Sequence, residues 1–154
     1  LFHRQVSMLY TTISVFCTSE TCPKMSAGSG YRYLWTDDVP APIEYPAPTY
    51  ISKLLDSIEK QLGDEAVFPS EGTEFPKEFK SVVKNIFKRL FRVYAHFFYH
   101  HLQDFKRLGI KDELNTSFAH FSLFNDAFEL VSSSQMEPLS DLIVTIRQNE
   151  FQID

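Results

Sequence analysis

Two cysteines, Cys17 and Cys22, are too few in a chain of 154 residues to make a secreted disulfide scaffold. No apolar run is long enough to cross a bilayer, and no signal peptide is visible. An intracellular setting is the expectation. Internal repeats and low-complexity tracts are missing. So are a nucleophile elbow, a Walker loop, an H-E-x-x-H helix and a paired-carboxylate constellation, and no enzyme is expected. The chain opens on Leu1-Phe2 without an initiator Met, which reads as a fragment of a longer protein. Positive charge is in deficit too. Fifteen Lys and Arg against 20 Asp and Glu leave a net −5, ill suited to general nucleic-acid binding.

What is present is a core. Hydrophobic residues make up 44% of the chain and 15 of them are Phe, so one domain over residues 1–154 with an aromatic interior is expected. Charge is unevenly spread. Lys77, Lys80, Lys84, Lys88, Arg89 and Arg92 face the single acid Glu78, so residues 77–92 carry +5 and the remainder −10. A basic helix on an acidic body suits a protein with two partners of opposite charge.

Apolar spacing predicts helices. Phe2, Val6, Leu9, Ile13 and Phe16 mark the first, over residues 2–16, which Cys17 ends. Tyr31–Trp35 reads as a strand, and Ile43–Tyr45 returns beside it after a turn at Asp37-Asp38 and three prolines, a short hairpin. Pro48 starts a helix carrying Ile51, Leu54, Leu55, Ile58 and Leu62, and Gly63 stops it. Residues 64–75, with Pro69 and Gly72, form a loop. Pro76 opens a long central helix running to about Leu108 and stopped by Gly109. Asn115 caps a helix in which Phe118, Phe121, Phe124 and Phe128 face inward, and His120 on it is expected to be half-buried. Pro138 opens the last, with Leu139, Leu142, Ile143 and Ile146. The fold class is all-α, an antiparallel helical bundle with one short hairpin.

Two constellations carry chemistry. Cys17 and Cys22 have C-x4-C spacing, and His96, His100 and His101 lie close together on the central helix. Two thiolates and two imidazoles would close a tetrahedral zinc site with no open position, structural and not hydrolytic. On a regular helix, residues five apart diverge by roughly 140°, which favours His96 with His100 over His96 with His101. The pair with His101 needs a loosened turn. Spacing alone leaves open two unpaired core thiols with ordinary histidines, or a Cys17–Cys22 disulfide. The second constellation is the run Lys80, Lys84, Lys88 and Arg92 at i, i+4, with Arg89 beside it. Two guanidinium forks and an ammonium within one turn fit a phosphoserine or phosphothreonine. A solvated basic face, or one paired with acids from another helix, fits the same spacing.

Several blocks together carry a resemblance: Met8-Leu-Tyr, Phe16-Cys-Thr-Ser-Glu-Thr-Cys-Pro, Met25-Ser-Ala-Gly, Tyr33-Leu-Trp, Ala47-Pro-Thr-Tyr-Ile, Phe68-Pro-Ser, Phe75-Pro, Lys88-Arg-Leu-Phe-Arg-Val-Tyr-Ala-His and Leu114-Asn-Thr-Ser-Phe-Ala-His-Phe. In this order, across nearly the whole chain, they resemble the Mob/phocein family of coactivators of NDR/LATS-type protein kinases. The resemblance implies a helical bundle without catalytic activity. It implies a structural zinc on Cys17, Cys22, His96 and His101, and a phosphopeptide pocket on Lys88, Arg89 and Arg92 for an upstream kinase or scaffold. It further implies a surface including Met8, Leu9, Leu108 and His120 that binds the basic N-terminal region of the kinase. Cytoplasm and nucleus are the expected compartments. Overall similarity to fungal members favours the NDR-type branch, serving cell polarity and morphogenesis, over the LATS-type mitotic branch. Departures from the family pattern are Leu1, where some relatives carry an acid, the missing upstream acidic helix, and a shorter turn after Trp35 without its basic residues.

Overall fold

The computed structural model describes residues 1–70 and 74–151. Among these residues six helices form: α1 (Phe2–Ile13), α2 (Ala47–Leu62), α3 (Phe79–His100), α4 (Leu102–Arg107), α5 (Lys111–Phe128) and α6 (Ser140–Phe151). A 3₁₀ turn over Glu137–Leu139 leads straight into α6. α1 buries Phe2, Val6, Leu9 and Ile13, the stripe expected from their spacing. α2 buries Tyr50, Ile51, Leu54, Leu55 and Ile58. Pro46 and Pro48 sit at its start, where missing N–H groups remove no helical bond.

The centre is α3. Val93, Tyr94, Ala95, His96 and Phe97 are all buried in succession, so this stretch is enclosed on every side, and exposure returns at Tyr99 and His100. α1, α2 and α4 pack on α3, and α5 packs on α1, α4 and α6. Aromatic rings fill the space between. Phe87 stacks on Phe121 at 5.2 Å, and Phe2 meets Phe87, Phe121 and Phe124 edge-on at 5.5–5.6 Å. Among the described residues, no helix is long and apolar enough to cross a membrane.

The chain turns sharply from α4 to α5. Gly109 has φ +74, the Ile110 N–H reaches back to the Phe105 carbonyl and the Gly109 N–H to that of Lys106. This pair of bonds satisfies the end of α4 and requires the left-handed backbone that glycine adopts freely.

The structure departs from the expected elements in several places. α1 stops at Ile13, short of the expected residue 16, because residues 14–16 tighten into a turn that carries Phe16, half-buried. The central helix starts at Phe79, three residues after Pro76. No regular strand forms among the described residues, so the hairpin is reduced to one antiparallel pair, Trp35 with Ile43. The Met25 backbone takes the next partners. Tyr33 donates to the Met25 carbonyl and Met25 donates to that of Tyr45, so the two edges never pair further. The long central helix is divided at His101. α5 begins at Lys111, and Asn115 lies inside it. The buried stripe of α5 runs Leu114, Phe118, Phe121 and Asn125, leaving Phe128 58% exposed. Asn125 holds a core position because its side chain accepts from the Leu130 and Val131 amides and donates to the Val131 carbonyl, tying down the following loop. His120 is exposed, its ring edge against Phe2 at 5.1 Å. Gly72 of the expected loop lies outside the described residues.

Candidate functional site

Cys17 follows the last turn of α1 and bonds back to the Ile13 carbonyl. Thr18 and Thr21 lock the loop after it. Each hydroxyl accepts from the other's amide at 2.9–3.1 Å, and the Thr21 hydroxyl donates to the Phe16 carbonyl at 2.7 Å. Cys22 is thereby turned toward Cys17, and both are buried free thiols. Opposite them stand His96 of α3 and His101 at the break between α3 and α4. His101 has φ −128 and ψ 9, outside helical geometry. This bend removes the angular divergence of a regular helix and aims both rings at the cysteines.

The ligand atoms of Cys17, Cys22, His96 and His101 all lie within 4.8 Å of one another, and all four residues are buried. Cys17 Sγ is 3.6 Å from His96 Nε2, and Cys22 Sγ is 3.5 Å from His101 Nε2. Tetrahedral zinc, with bonds of about 2.0–2.3 Å, sets its ligands about 3.3–3.8 Å apart. Each imidazole is oriented through its other nitrogen. His96 Nδ1 lies 2.8 Å from the Ser26 carbonyl, and His101 Nδ1 lies 2.9 Å from Asp104 Oδ2. Such partners fix the tautomer that presents Nε2 to a cation. Burial pushes the His96 pKa down to about 3, so the ring is neutral and ready to ligate. Burial, with Cys22 beside it, pushes the Cys17 thiol up. A bound cation reverses that tendency and holds thiolates. The donor set, its spacing and its oriented rings fit a metal ion. His100 points elsewhere, its Nε2 3.0 Å from the Ser26 hydroxyl. Asp104, three residues after His101, is an orienting carboxylate that its position on the next turn could have suggested. The Ser26 carbonyl is backbone and leaves no trace in residue type.

Four residues before His96 on the same helix, the basic cluster is arranged differently. Arg89 is only 7% exposed. Its two terminal nitrogens grip both carboxylate oxygens of Asp37, Nη2 to Oδ1 at 2.6 Å. This pairing, and the hydrogen bond above all, holds the Asp37 carboxyl below its usual range. Arg92 donates to the Tyr50 hydroxyl at 2.9 Å and lies over the Tyr33 ring at 5.0 Å. Arg92 Nε and the Tyr33 hydroxyl are buried without a hydrogen-bond partner among the described residues. Lys88 makes no salt bridge among the described residues; partial burial, then the two arginines, lower its pKa. Among the described residues, the stripe at i, i+4 does not pair with acids from another helix. Arg89, beside the stripe, takes its acid from the turn after Trp35, a partner that sequence reading missed because 52 residues separate the two.

Met8, Leu9 and His120 line one groove of 350 Å³ between α1 and α5, together with Asp112 and Glu113. Met8 is 65% exposed on its lip. Leu108 is not part of this lining. It sits 42% exposed after α4, next to Arg107, whose guanidinium lies over Phe16.

Residues 1–139 match the model of the Mob1/phocein family. The chain is 49% identical over 148 residues to "MOB kinase activator-like 1A" of Arabidopsis thaliana, covering 94% of this chain and 69% of that one. It is 47% identical over 151 residues to "MOB kinase activator-like 1 homolog A" of Dictyostelium discoideum, covering 96% and 71%. With "MOB kinase activator-like 1A" of Medicago sativa subsp. falcata it shares 47% over 150 residues, covering 96% and 70%. A family match over residues 1–139, with relatives near half identity over more than nine-tenths of the chain, places it: it belongs to the Mob1/phocein family.

Proposed function

We propose that this protein is a non-catalytic kinase-activating subunit. It binds the basic N-terminal region of an NDR/LATS-family Ser/Thr kinase and favours the kinase's active arrangement by binding it better than the inactive one. The observation that carries this reading is the α1–α5 groove. It offers Met8 and Leu9 as apolar contacts and Asp112 and Glu113 as acids, on a body that is acidic outside residues 77–92. A basic amphipathic helix has the complementary chemistry. That the relatives are named kinase activators supports the same reading. Zinc is the metal that best fits two thiolates and two imidazoles in a closed site, and its role there is to tie the 17–22 loop to α3.

The test is calorimetric titration of the chain with the N-terminal segment of an NDR-type kinase and, in parallel, of a LATS-type kinase. Binding to one above the other, abolished by Met8→Asp, is the expected result and assigns the branch. If neither segment binds, the coactivator reading fails.

A second reading has its own support. Lys88 and the unpartnered Arg92 Nε and Tyr33 hydroxyl are hydrogen-bond donors in one cluster. A phosphothreonine of an upstream kinase or scaffold is the ligand they suit.

A further inference from the structure

We propose that Asp37 is a built-in competitor for the basic cluster: its carboxylate fills the Arg89 fork that a phosphoryl group would take, so a phosphopeptide binds by displacing it. The proposal rests on the phosphopeptide reading above and names the residue that sets affinity at that site.

The guanidinium fork receives carboxylate and phosphate by the same geometry, two parallel N–H···O bonds. In this structure both terminal nitrogens of Arg89 are engaged by Asp37, and Nη2 also reaches the Thr36 hydroxyl at 3.5 Å. Arg89 is otherwise buried, so a second anion finds no free face. Asp37 is held more lightly than the arginine it occupies. Its side chain is 33% exposed, and Arg89 is the only side chain that donates to its carboxylate among the described residues. The residue after it, Asp38, has φ 54, a left-handed position in an exposed turn.

Around the occupied fork, donors remain unused. Arg92 Nε and the Tyr33 hydroxyl are buried and unpartnered. A carboxylate brings one charge and two oxygens. A phosphoryl group brings nearly two charges and three oxygens, enough to take the fork and reach neighbouring donors together. Once Asp37 swings into water, the cluster is better satisfied by phosphate than by the resident acid. Until then, apparent affinity is lowered by the fraction of time the fork is closed.

Trp35 makes the exchange visible. It is the only tryptophan in the chain. Its indole N–H donates to the Asp37 backbone carbonyl at 2.9 Å, and the Arg89 guanidinium lies over its ring at 5.9 Å. Movement of the turn alters both contacts.

The experiment titrates the full chain, as wild type and as Asp37→Asn, with a synthetic peptide bearing one phosphothreonine in an uncharged frame, and with its unphosphorylated twin. Asp37→Asn is expected to bind the phosphorylated peptide about tenfold tighter than wild type. Wild-type binding is expected to shift Trp35 emission. Equal affinities, or wild-type binding that leaves Trp35 emission unmoved, overturn the proposal while the phosphopeptide reading stands. Absence of phosphate-dependent binding in both proteins overturns the two together. Should Asp37→Asn fail to fold, the Trp35 response of the wild type decides alone.

Discussion

The two halves of α3 hold their polar side chains in opposite ways. Around His96 every group has a partner. Both imidazoles are aimed by hydrogen bonds, both thiols face them, and all four ligands are shut away from water. One turn earlier, around Arg92, satisfaction is partial: among the described residues two buried polar atoms lack partners and Lys88 makes no salt bridge, Arg92 holds the Tyr50 hydroxyl, and the ion pair is with an acid on an exposed turn. A saturated, buried cluster resists exchange, whereas a partly satisfied one at the surface gains by meeting a ligand. The contrast teaches that similar residue density on one helix serves permanence at one end and exchange at the other.

Breaking the closed end should have the largest effect. Cys17→Ser with Cys22→Ser is expected to release about one metal per chain and to lower stability by several kcal/mol, because metal binding and folding are coupled. Elemental analysis and thermal melting check this; a variant that melts like wild type would show that the cluster does not hold the fold. A subtler cut at the same end is Asp104→Asn. It leaves the four ligands but loosens the His101 ring, and should weaken metal affinity about 10–100-fold in competition with a chelating dye. An unchanged affinity would mean that the carboxylate orients nothing.

The open end should behave in the reverse way. Lys88→Ala is expected to change stability by no more than about 0.5 kcal/mol, since this half-buried lysine makes no salt bridge among the described residues, while phosphothreonine-peptide binding weakens several-fold. Urea melts and peptide titration separate the two effects. The smallest effect concerns acid. Asp37 has a lowered pKa in the folded state because Arg89 holds its charged form. Its contribution is therefore full above the unfolded carboxylate value and disappears as pH falls through the lower folded value. The stability gap between wild type and Asp37→Asn should close as pH drops below the ordinary range of a carboxylate. Because this side chain is one-third exposed, solvent screening keeps the gap modest. A gap that widens in acid would contradict the assignment.

Legibility in the sequence followed the range of the interaction. The stripes of α1 and α2 were readable because neighbours three and four apart decide them, and so was the candidate set of cysteines and histidines. The choice of His101 over His100 was not readable from spacing, since it depends on a bend in the helix that the opposing cysteines and Asp104 accompany. The family resemblance supplied it. Asp37 escaped notice because a contact between residues 37 and 89 has no periodic signature. The missing hairpin has a similar origin. Alternation announced two strands, but the Met25 backbone, from a third segment, took the hydrogen bonds that would have joined them. Asn125 marks the limit of binary pattern, a polar residue that earns its core position through bonds to a loop not yet folded when the pattern is read.

The most direct test of the account uses one variant and two ligands. Arg92→Glu, verified as folded by its melting curve, is titrated with the basic N-terminal segment of the kinase and with a phosphothreonine peptide. The lining of the α1–α5 groove includes neither Arg92 nor its neighbours on α3, so the two are separate sites. Phosphopeptide binding is therefore expected to vanish while segment binding stays within about twofold of wild type, as independent sites require. Loss of both bindings together would contradict this and merge the two surfaces into one.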